Sequence, residues 1–351
     1  PLYSSAASDV YKRQGYVVLT TKHHDGFCLW DSQRTDFTSV AATGRDLVRE
    51  YVDALRAEGL KVGLYHSVID WHHPHFTVDW NHPRRDDANA HELNVGRDMS
   101  IYREYLHAQV RELLTAYGEI DYLFFDFTYP GAKDGWSGKG PDDWDAAGLL
   151  ALCRELQPNM LVNDRLGIPA DFVTPEQYQP TAPIVRDGVA LTWEACQTLN
   201  GSWGYDRDNT DQKSSTLLTQ MLVDSVSMGG NMLLNIGPDG RGAIAPRDAA
   251  TLGEIGEWMR LHGGAVIGAG HAEFTPPREG VYTRKGDRLY LSLFSWPMGF
   301  VHLPDLAGRV TYARLLHDGS WLKTSASDPE QQADLMTPAG EAEGTLTVHL
   351  P

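Results

Sequence analysis

Short apolar segments alternate with longer amphipathic segments through roughly the first 262 residues of the chain. Residues 121–127 read DYLFFDF and residues 61–67 read KVGLYHS, so neither segment alternates regularly between apolar and polar positions. A strand that is covered by helices on both faces is apolar at successive positions. Residues 95–117, which lie between them, repeat apolar side chains at helical spacing. The pattern therefore predicts parallel β–α–β units.

The same alternation predicts where the other elements lie. The predicted strands are 16–21, 61–67, 121–127, 160–164, 191–195 and 231–237. The predicted helices are about 45–58, 95–117, 142–156, 212–228 and 247–262. Six or so strand–helix units favour a TIM-type barrel. The sequence contains neither a GxGxxG nor a Walker A loop, which weakens the alternative of a doubly wound nucleotide-binding sheet.

After about residue 270 the apolar pattern changes to a period of two, with breaks at Gly, Asp and Pro. This pattern is typical of antiparallel strands. The predicted fold class is therefore α/β, a (β/α)8-type TIM-like barrel followed by a small antiparallel β-sandwich domain. We predict the barrel over 15–268 and the β-sandwich over 272–351. The acidic, Ala- and Gly-rich stretch 325–344 is predicted to be a loop.

The first 14 residues, PLYSSAASDVYKRQ, lack an initiator Met and have neither helical nor strand periodicity. They resemble a translated adapter at the edge of a sequence read. We therefore expect residues 1–14 to be a non-native tail and the barrel to be incomplete at its N-terminus, without its first strand. On this interpretation a signal peptide would be lost together with the natural start, so the sequence does not decide the cellular location.

Charge and cysteine content exclude several classes of protein. The net charge of −17 argues against nucleic acid or an anionic membrane as a general partner. The sequence contains no run of 18 apolar residues that could span a membrane. Three cysteines without a CxxC pair make neither a disulfide framework nor a structural zinc site.

Polar and aromatic residues follow the predicted strands, where a TIM barrel places its active site. They are His23, His24, Asp25, Tyr65, His66, Ser67, Asp70, Trp71, Asp126, Asn163, Asp164, Arg165, Glu176, Trp193 and Glu194. Paired carboxyl groups beside aromatic faces are what a glycosidase requires, since one carboxylate attacks the sugar and the other acid protonates the leaving oxygen.

Seven segments together resemble glycoside hydrolase family 29, the α-L-fucosidases. In the order of the family they are YVVLTTKHHDGFCLW, RDLVREYVDALRAEGLKVGLYHSVIDW, DYLFFDF, VNDRLG, TPEQY, TWEACQTLNGSWGY and GGNMLLNIGPDGRG. Each segment alone is a weak signal, but seven in order over roughly residues 15–268 are specific. The resemblance implies a retaining exo-α-L-fucosidase that removes terminal α-L-fucose by double displacement and needs no cofactor.

The resemblance also implies roles for individual residues. Asp126 falls on the nucleophile position, and Glu176 in TPEQY is the best candidate for the general acid/base. Glu194, or a Glu in the missing segment, stays open as an alternative to Glu176. The implied substrate-binding residues are His23, His24, Tyr65, Arg165, Phe124, Trp71 and Trp193. Phe124 and Phe127 flank Asp126 where the family often has Trp, which would change the fit of the substrate.

Two other functions stay open. A metal-dependent TIM-barrel hydrolase could use His23, His24 and Asp126 as ligands, although adjacent strand residues point to opposite faces and no HxH or HExxH motif is present. A truncated barrel could also be a non-catalytic carbohydrate-binding protein. In the favoured interpretation the partner is a fucosylated oligosaccharide or glycoconjugate. The resemblance is compatible with a secreted or periplasmic protein, while linkage specificity and oligomeric state are not encoded in any recognisable motif.

Overall fold

The structure is a computed structural model that describes residues 15–326 and 341–351. The predicted non-native tail at 1–14 and most of the predicted loop at 325–344 lie outside the described residues. The chain forms two compact units, Gln14–Thr174 and Pro175–Pro351. The domain limits predicted from the sequence stay a prediction.

A four-stranded parallel sheet forms the centre of the first unit. Its strands are β1 (Tyr16–Lys22), β2 (Lys61–Ser67), β3 (Tyr122–Asp126) and β4 (Leu161–Val162), adjacent in that order. The four strands lie where the sequence predicts them, although β4 is shorter. Consecutive parallel strands that are joined by helices are the β–α–β arrangement that the apolar pattern indicates.

The helices of the first unit follow the strands along the chain. They are α1 (Ser39–Thr43), α2 (Leu47–Ala57), α3 (Met99–Ala116), α4 (Pro141–Trp144) and α5 (Ala146–Leu156). The structure divides the helix that the sequence predicts over 142–156. Asp145 adopts a left-handed conformation with φ of 49°, which ends α4, and its carboxylate accepts a hydrogen bond from Gly148 N at 3.2 Å, which caps α5.

The core of the first unit lies on both faces of the sheet. On one face Leu123 and Phe125 are fully buried, and on the other face Tyr122 and Phe124 are each 4% exposed. Each such side chain contributes roughly 1.5–3 kcal/mol through burial. This burial explains why β3 is apolar at successive positions, and it holds the last residue of the strand at the edge of a rigid sheet.

The second unit begins with a short hairpin and continues with a parallel pair of strands. The hairpin is β5 (Val185–Arg186) with β6 (Val189–Ala190). The parallel pair is β7 (Glu194–Thr198) with β8 (Asn231–Asn235). The helices are α6 (Ser215–Ser227) and α7 (Pro246–His262). The strand that the sequence predicts over 191–195 begins three residues later, at Glu194.

The last part of the second unit is antiparallel, as the period of two predicts. Its strands are β9 (Gly280–Lys285), β10 (Arg288–Leu293), β11 (Phe300–Leu303), β12 (Ala313–Arg314), β13 (Trp321–Leu322), β14 (Thr324–Ala326) and β15 (Leu346–His349). The β9–β10 hairpin and the sheet of β11, β15 and β14 share one apolar core. Tyr282 from the hairpin and Val301 and Val348 from the sheet are buried in it. Two sheets around one core are a small β-sandwich.

None of the helices in the described part of the chain is both long enough and apolar enough to cross a membrane.

Candidate active site

The carboxyl ends of β1, β2 and β3 lie side by side in the first unit. Ser67 at the end of β2 pairs with Asp126 at the end of β3, and Tyr65 pairs with Phe124 two residues earlier. His23 and His24 follow directly after β1. Parallel pairing therefore brings residues about 60 positions apart in sequence to one edge of the sheet, which is the edge where α/β folds bind ligands.

Asp126 is held from two sides. The Tyr65 hydroxyl donates a hydrogen bond to Oδ2 at 2.9 Å, and Arg165 Nη1 donates to Oδ1 at 3.1 Å. The Asp126 side chain is 15% exposed, so it is largely buried but still reaches the surface. The ion pair and the hydrogen bond together fix the orientation of the carboxylate.

Arg165 is itself held in place by the chain around it. It lies in a short 3-10 turn, Asp164–Leu166, that follows β4. Its Nη2 donates to Thr174 O at 3.2 Å, and its guanidinium lies 5.6 Å from the ring centre of Phe124. Arginine loses less freedom in such a pair when its fork is already oriented. These contacts fix the guanidinium of Arg165 beside the carboxylate of Asp126.

Three rings stack in a row beside Asp126. The Tyr65 ring lies 5.7 Å from Phe124 and 5.6 Å from His23, and both pairs are close to parallel. Phe124 is buried, whereas Tyr65 is partly buried and His23 is exposed. The row therefore runs from the core of the sheet to the surface, and it gives the site an apolar wall.

His24 forms the opposite part of the same edge. Its Nδ1 lies 2.6 Å from Ser67 Oγ, and its ring meets the rings of Trp71 and Phe127 edge-on at 5.2 and 5.9 Å. Trp71 N also donates to His24 O at 2.8 Å. These contacts hold both the backbone and the ring of His24. Its second ring nitrogen, Nε2, therefore points in one fixed direction.

Both histidines are neutral at ordinary pH. Although His23 is exposed overall, its ring packs against His24 and Tyr65, and this partial desolvation lowers the pKa of His23, while the charge of Asp25 opposes the effect. Burial is also the main reason that the pKa of His24 falls to about 3, and the charges of His23 and Lys22 add to it. A neutral imidazole has one N–H donor and one acceptor, which suits hydroxyl groups of a sugar.

A buried ion pair that was not predicted from the sequence supports the turn at residues 23–26, HHDG. Lys22 is fully buried, and its Nζ donates to Gln109 Oε1 at 3.0 Å and Asp70 Oδ2 at 3.5 Å. A Cβ atom at Gly26 would lie 2.3 Å from Asp70 Oδ1, and Gly26 has φ of 85°. Glycine is therefore required at the end of the turn. A lysine in the last position of a buried strand was the signal in the sequence.

Glu176 and its neighbours belong to the second unit. Glu176 is exposed and forms a bridge with Cys196 in the middle of β7. Cys196 N donates to Pro175 O at 2.8 Å, and Gln177 N donates to Cys196 O at 2.9 Å. The segment on both sides of Glu176 is thus fixed to β7.

Glu194, the alternative acid/base, has a different environment. It is 3% exposed, and burial raises its pKa to about 8, so the carboxyl group is protonated at neutral pH. It is the first residue of β7, ~13 Å along the strand from Thr198 at the carboxyl end. Trp193 is 1% exposed, and a Cβ atom at Gly230 would meet its ring at 2.2 Å. The predicted contact of Trp193 with sugar stays a prediction.

The structure does not bring together the residues that a metal-dependent hydrolase would use as metal ligands. Within residues 15–326 and 341–351, no three His, Cys, Asp or Glu side chains converge in a way that could hold a metal ion. His23, His24 and Asp126 lie along one sheet edge, but they do not form such a group. The geometry therefore gives this alternative no support.

Neutral buried histidines predict that acid destabilises the protein. Burial lowers the pKa of His66 well below its usual value and those of His73 and His82 to about 4, as it does for His24. Below pH 6.5 the unfolded chain binds protons that the folded chain does not. Each group then lowers the free energy of unfolding by up to about 1.4 kcal/mol per pH unit. We expect a lower midpoint of urea unfolding at pH 5 than at pH 7. An equal or higher midpoint at pH 5 would contradict this.

Comparison with known proteins decides the family. The sequence model described as Alpha-L-fucosidase matches residues 6–264 of the chain. The chain belongs to the α-L-fucosidase family. This membership confirms the resemblance to glycoside hydrolase family 29 that the seven sequence segments carry.

Solved α-L-fucosidases are similar over almost the whole chain. Isoenzyme 1 from Paenibacillus thiaminolyticus is 42% identical, and the match covers 99% of this chain and 81% of that chain with a TM-score of 0.87. A GH29 α-L-fucosidase from Bacteroides thetaiotaomicron, solved as a trapped covalent intermediate with 2-fluoro-fucosyl fluoride, is 28% identical. That match covers 99% of this chain and 77% of the other, with a TM-score of 0.80. These likenesses confirm the predicted fold class, a TIM-like barrel followed by a β-sandwich.

Curated α-L-fucosidases match at lower identity. Tissue α-L-fucosidase from Bos taurus is 29% identical over 309 residues, which are 83% of this chain and 60% of that protein. The chain therefore spans about 60% of the length of this curated relative.

Proposed function

We propose that the protein is a retaining exo-α-L-fucosidase that removes terminal α-L-fucose from oligosaccharides or glycoconjugates. The observation that carries the proposal is the carboxylate of Asp126, which ends a buried strand and is oriented by Tyr65 and Arg165. A carboxylate that is fixed but 15% exposed can attack a bound sugar. Membership of the α-L-fucosidase family supports α-L-fucose as the sugar.

The proposed reaction has two displacements. In the first, an Asp126 oxygen bonds to the anomeric carbon, the glycosidic C–O bond breaks, and Glu176 gives its proton to the leaving oxygen. In the second, Glu176 takes a proton from water, the water oxygen bonds to the anomeric carbon, and the ester bond to Asp126 breaks. Two inversions give net retention of configuration. The covalent intermediate trapped in the Bacteroides relative supports this route.

We assign the contacts with fucose to residues at the sheet edge of the first unit, namely His23, His24, Tyr65, Arg165, Phe124 and Trp71, and to Trp193 from the second unit. The neutral His23 and His24 can donate to or accept from ring hydroxyls. The stacked rings of Tyr65 and Phe124 give an apolar face for the hydrophobic side of the sugar. The side chain of Phe124 carries no hydrogen-bond donor. The hydroxyl groups of the sugar would therefore bind to the two histidines and Arg165.

Glu176 is the proposed acid/base because of where its strand partner lies. The segment around Glu176 is paired with the middle of β7, whereas Glu194 is buried at the amino end of that strand. In barrels of this type the reacting groups come from the carboxyl ends of strands and from the loops that follow them. A buried carboxyl group at the opposite end fits a structural role.

The test of this assignment compares leaving groups. Glu176→Ala removes the proton donor, so we expect phenyl α-L-fucoside, which has a poor leaving group, to lose about 10²–10⁴-fold in kcat/KM. 4-Nitrophenyl α-L-fucoside needs less protonation and is expected to lose much less. Sodium azide can replace water in the second displacement without a general base. It should therefore restore turnover of the Glu176→Ala variant and give fucosyl azide. The matched control is Glu58→Ala, an exposed carboxyl group at the end of α2.

Equal losses on the two substrates without azide rescue would move the acid/base role to another residue. A folded wild-type chain that binds L-fucose but hydrolyses neither substrate would favour the non-catalytic alternative. Circular dichroism of each variant separates loss of chemistry from loss of fold.

A further inference from the structure

Gln177, directly after Glu176, has an unusual backbone conformation. Five non-glycine residues in the described part of the chain have positive φ, and four of them are aspartates. Aspartate tolerates the left-handed region because its short side chain bonds locally, whereas glutamine has no such preference. Gln177 adopts φ of 49°, so this conformation must be held by its surroundings.

The side-chain amide of Gln177 is bonded at both ends. Its Nε2 donates to Thr198 Oγ1 at 2.7 Å, and its Oε1 accepts from Lys213 Nζ at 3.3 Å and from Thr198 N at 3.4 Å. Its backbone N–H donates to Cys196 O at 2.9 Å. Backbone and side chain therefore attach Gln177 to the carboxyl-terminal half of β7.

Lys213 joins this network from the segment before α6. Its Nζ donates to Thr198 O at 2.6 Å, and to the side-chain oxygens of Gln197 and Gln177 at 3.3 Å each. Its backbone N–H donates to Leu199 O at 2.8 Å. The three donors of the ammonium group thus meet three neutral oxygens around the end of β7. Burial lowers the pKa of Lys213, in agreement with a partly desolvated position.

We propose that Gln177 and Lys213 are positioning residues that hold Glu176 in one orientation for proton transfer. The inference rests on the proposed role of Glu176. Glu176 is exposed, and the rotamers open to its side chain depend on the backbone conformation of its segment. The bonds of Cys196 to residues 175 and 177 fix the backbone on both sides of Glu176, and the left-handed turn at Gln177 directs the chain away directly after it. Proton transfer demands such fixed geometry.

The test uses Gln177→Ala and Lys213→Met. Each removes side-chain bonds of the network and leaves Glu176 in place. We expect kcat on phenyl α-L-fucoside to fall about 10- to 100-fold, a part of the general acid effect. KM on both substrates and turnover of 4-nitrophenyl α-L-fucoside should change much less. Lys213→Arg keeps the charge and should recover part of the loss.

Gln179→Ala is the matched control. Gln179 lies two residues further on, but its Nε2 bonds to Met221 O and Ser225 Oγ in α6 and not to β7. The variant Gln179→Ala should therefore leave unchanged the ratio of kcat on phenyl α-L-fucoside to kcat on 4-nitrophenyl α-L-fucoside. The sharper control is Gln177→Ala in a Glu176→Ala background, where a residue that acts only through Glu176 has no further effect on that ratio.

Several outcomes would overturn the inference. If Glu176→Ala shows the leaving-group effect and both Gln177→Ala and Lys213→Met do not, the positioning role is wrong while the proposed function stands. An equal loss on both substrates, or an additive effect in the Glu176→Ala background, would indicate a structural role only. If Gln177→Ala does not fold, Lys213→Met carries the test alone, because it leaves the bonds between Gln177 and Thr198 in place. If Glu176→Ala itself shows no leaving-group effect, the proposed function fails first.

Discussion

Replacing Asp126 with asparagine is expected to lower the turnover of 4-nitrophenyl α-L-fucoside by about a thousandfold or more. The amide is nearly the same size, but it cannot form the ester with the anomeric carbon in the proposed first step. The variant should still fold, because Phe125 and the preceding strand residues remain buried and Arg165 keeps its bond to Thr174 O. Binding of L-fucose is expected to persist.

The control for this prediction is Asp121→Asn, just before the opposite end of the same strand. Asp121 Oδ2 accepts from Val62 N at 2.9 Å, and Oδ1 lies 3.3 Å from Lys61 Nζ. It ties β2 to β3 far from the carboxyl edge, so its replacement should retain most of the turnover. Substantial activity in Asp126→Asn, or an equal loss in both variants, would contradict the role of Asp126 as nucleophile.

Replacing Glu194 with glutamine is expected to stabilise the protein at neutral pH. Burial raises the pKa of Glu194 to about 8 in the folded protein, while the unfolded chain loses this proton near pH 4.5. Between these two pH values the folded chain binds the extra proton, so the free energy of unfolding falls as pH rises. At pH 7 the raised pKa of Glu194 lowers the free energy of unfolding by about 3 kcal/mol. Glutamine has a similar shape and no ionised form in either state.

Urea unfolding at two pH values measures this effect. Glu194→Gln should raise the free energy of unfolding by about 3 kcal/mol at pH 7 and by less than about 1 kcal/mol at pH 5. Its hydrolytic activity should be retained. Glu176→Gln is the paired control, since this exposed carboxyl group should lose activity without a change in stability. Loss of turnover in Glu194→Gln, with the leaving-group dependence of a general acid, would instead make Glu194 the acid/base.

The fold was largely predictable because a strand that is buried on both faces has apolar residues at successive positions of the sequence. The segment KVGLYHS predicts β2 with the limits that the structure has, and DYLFFDF predicts β3 within one residue at each end. The break at Asp145 was not predictable, because it depends on one left-handed residue inside a continuous helical pattern. The predicted start of β7 was too early because Trp193, directly before the strand, is buried and as apolar as a strand residue.

Part of the candidate site was also predictable, for a topological reason. The ends of parallel strands meet at one edge, so Tyr65 and Asp126 could be placed together from sequence, and the structure joins them by a hydrogen bond. The supporting contacts could not be predicted in this way. Lys22 finds its partner Gln109 87 positions away, and Gln177 depends on the side chain of Lys213 from another segment. Such pairs follow from tertiary packing and leave no periodic signal.

Peptide mapping after inactivation by 2-fluoro-fucosyl fluoride tests the central claim most directly. The fluorine at C2 slows the second displacement, so the fucosyl ester on the nucleophile should accumulate and be visible by mass spectrometry of the digested protein. The account predicts one 2-fluoro-fucosyl group per chain, attached to Asp126 in the peptide that contains DYLFFDF. A label on a different carboxyl group, or an active enzyme that never becomes labelled, would contradict the account.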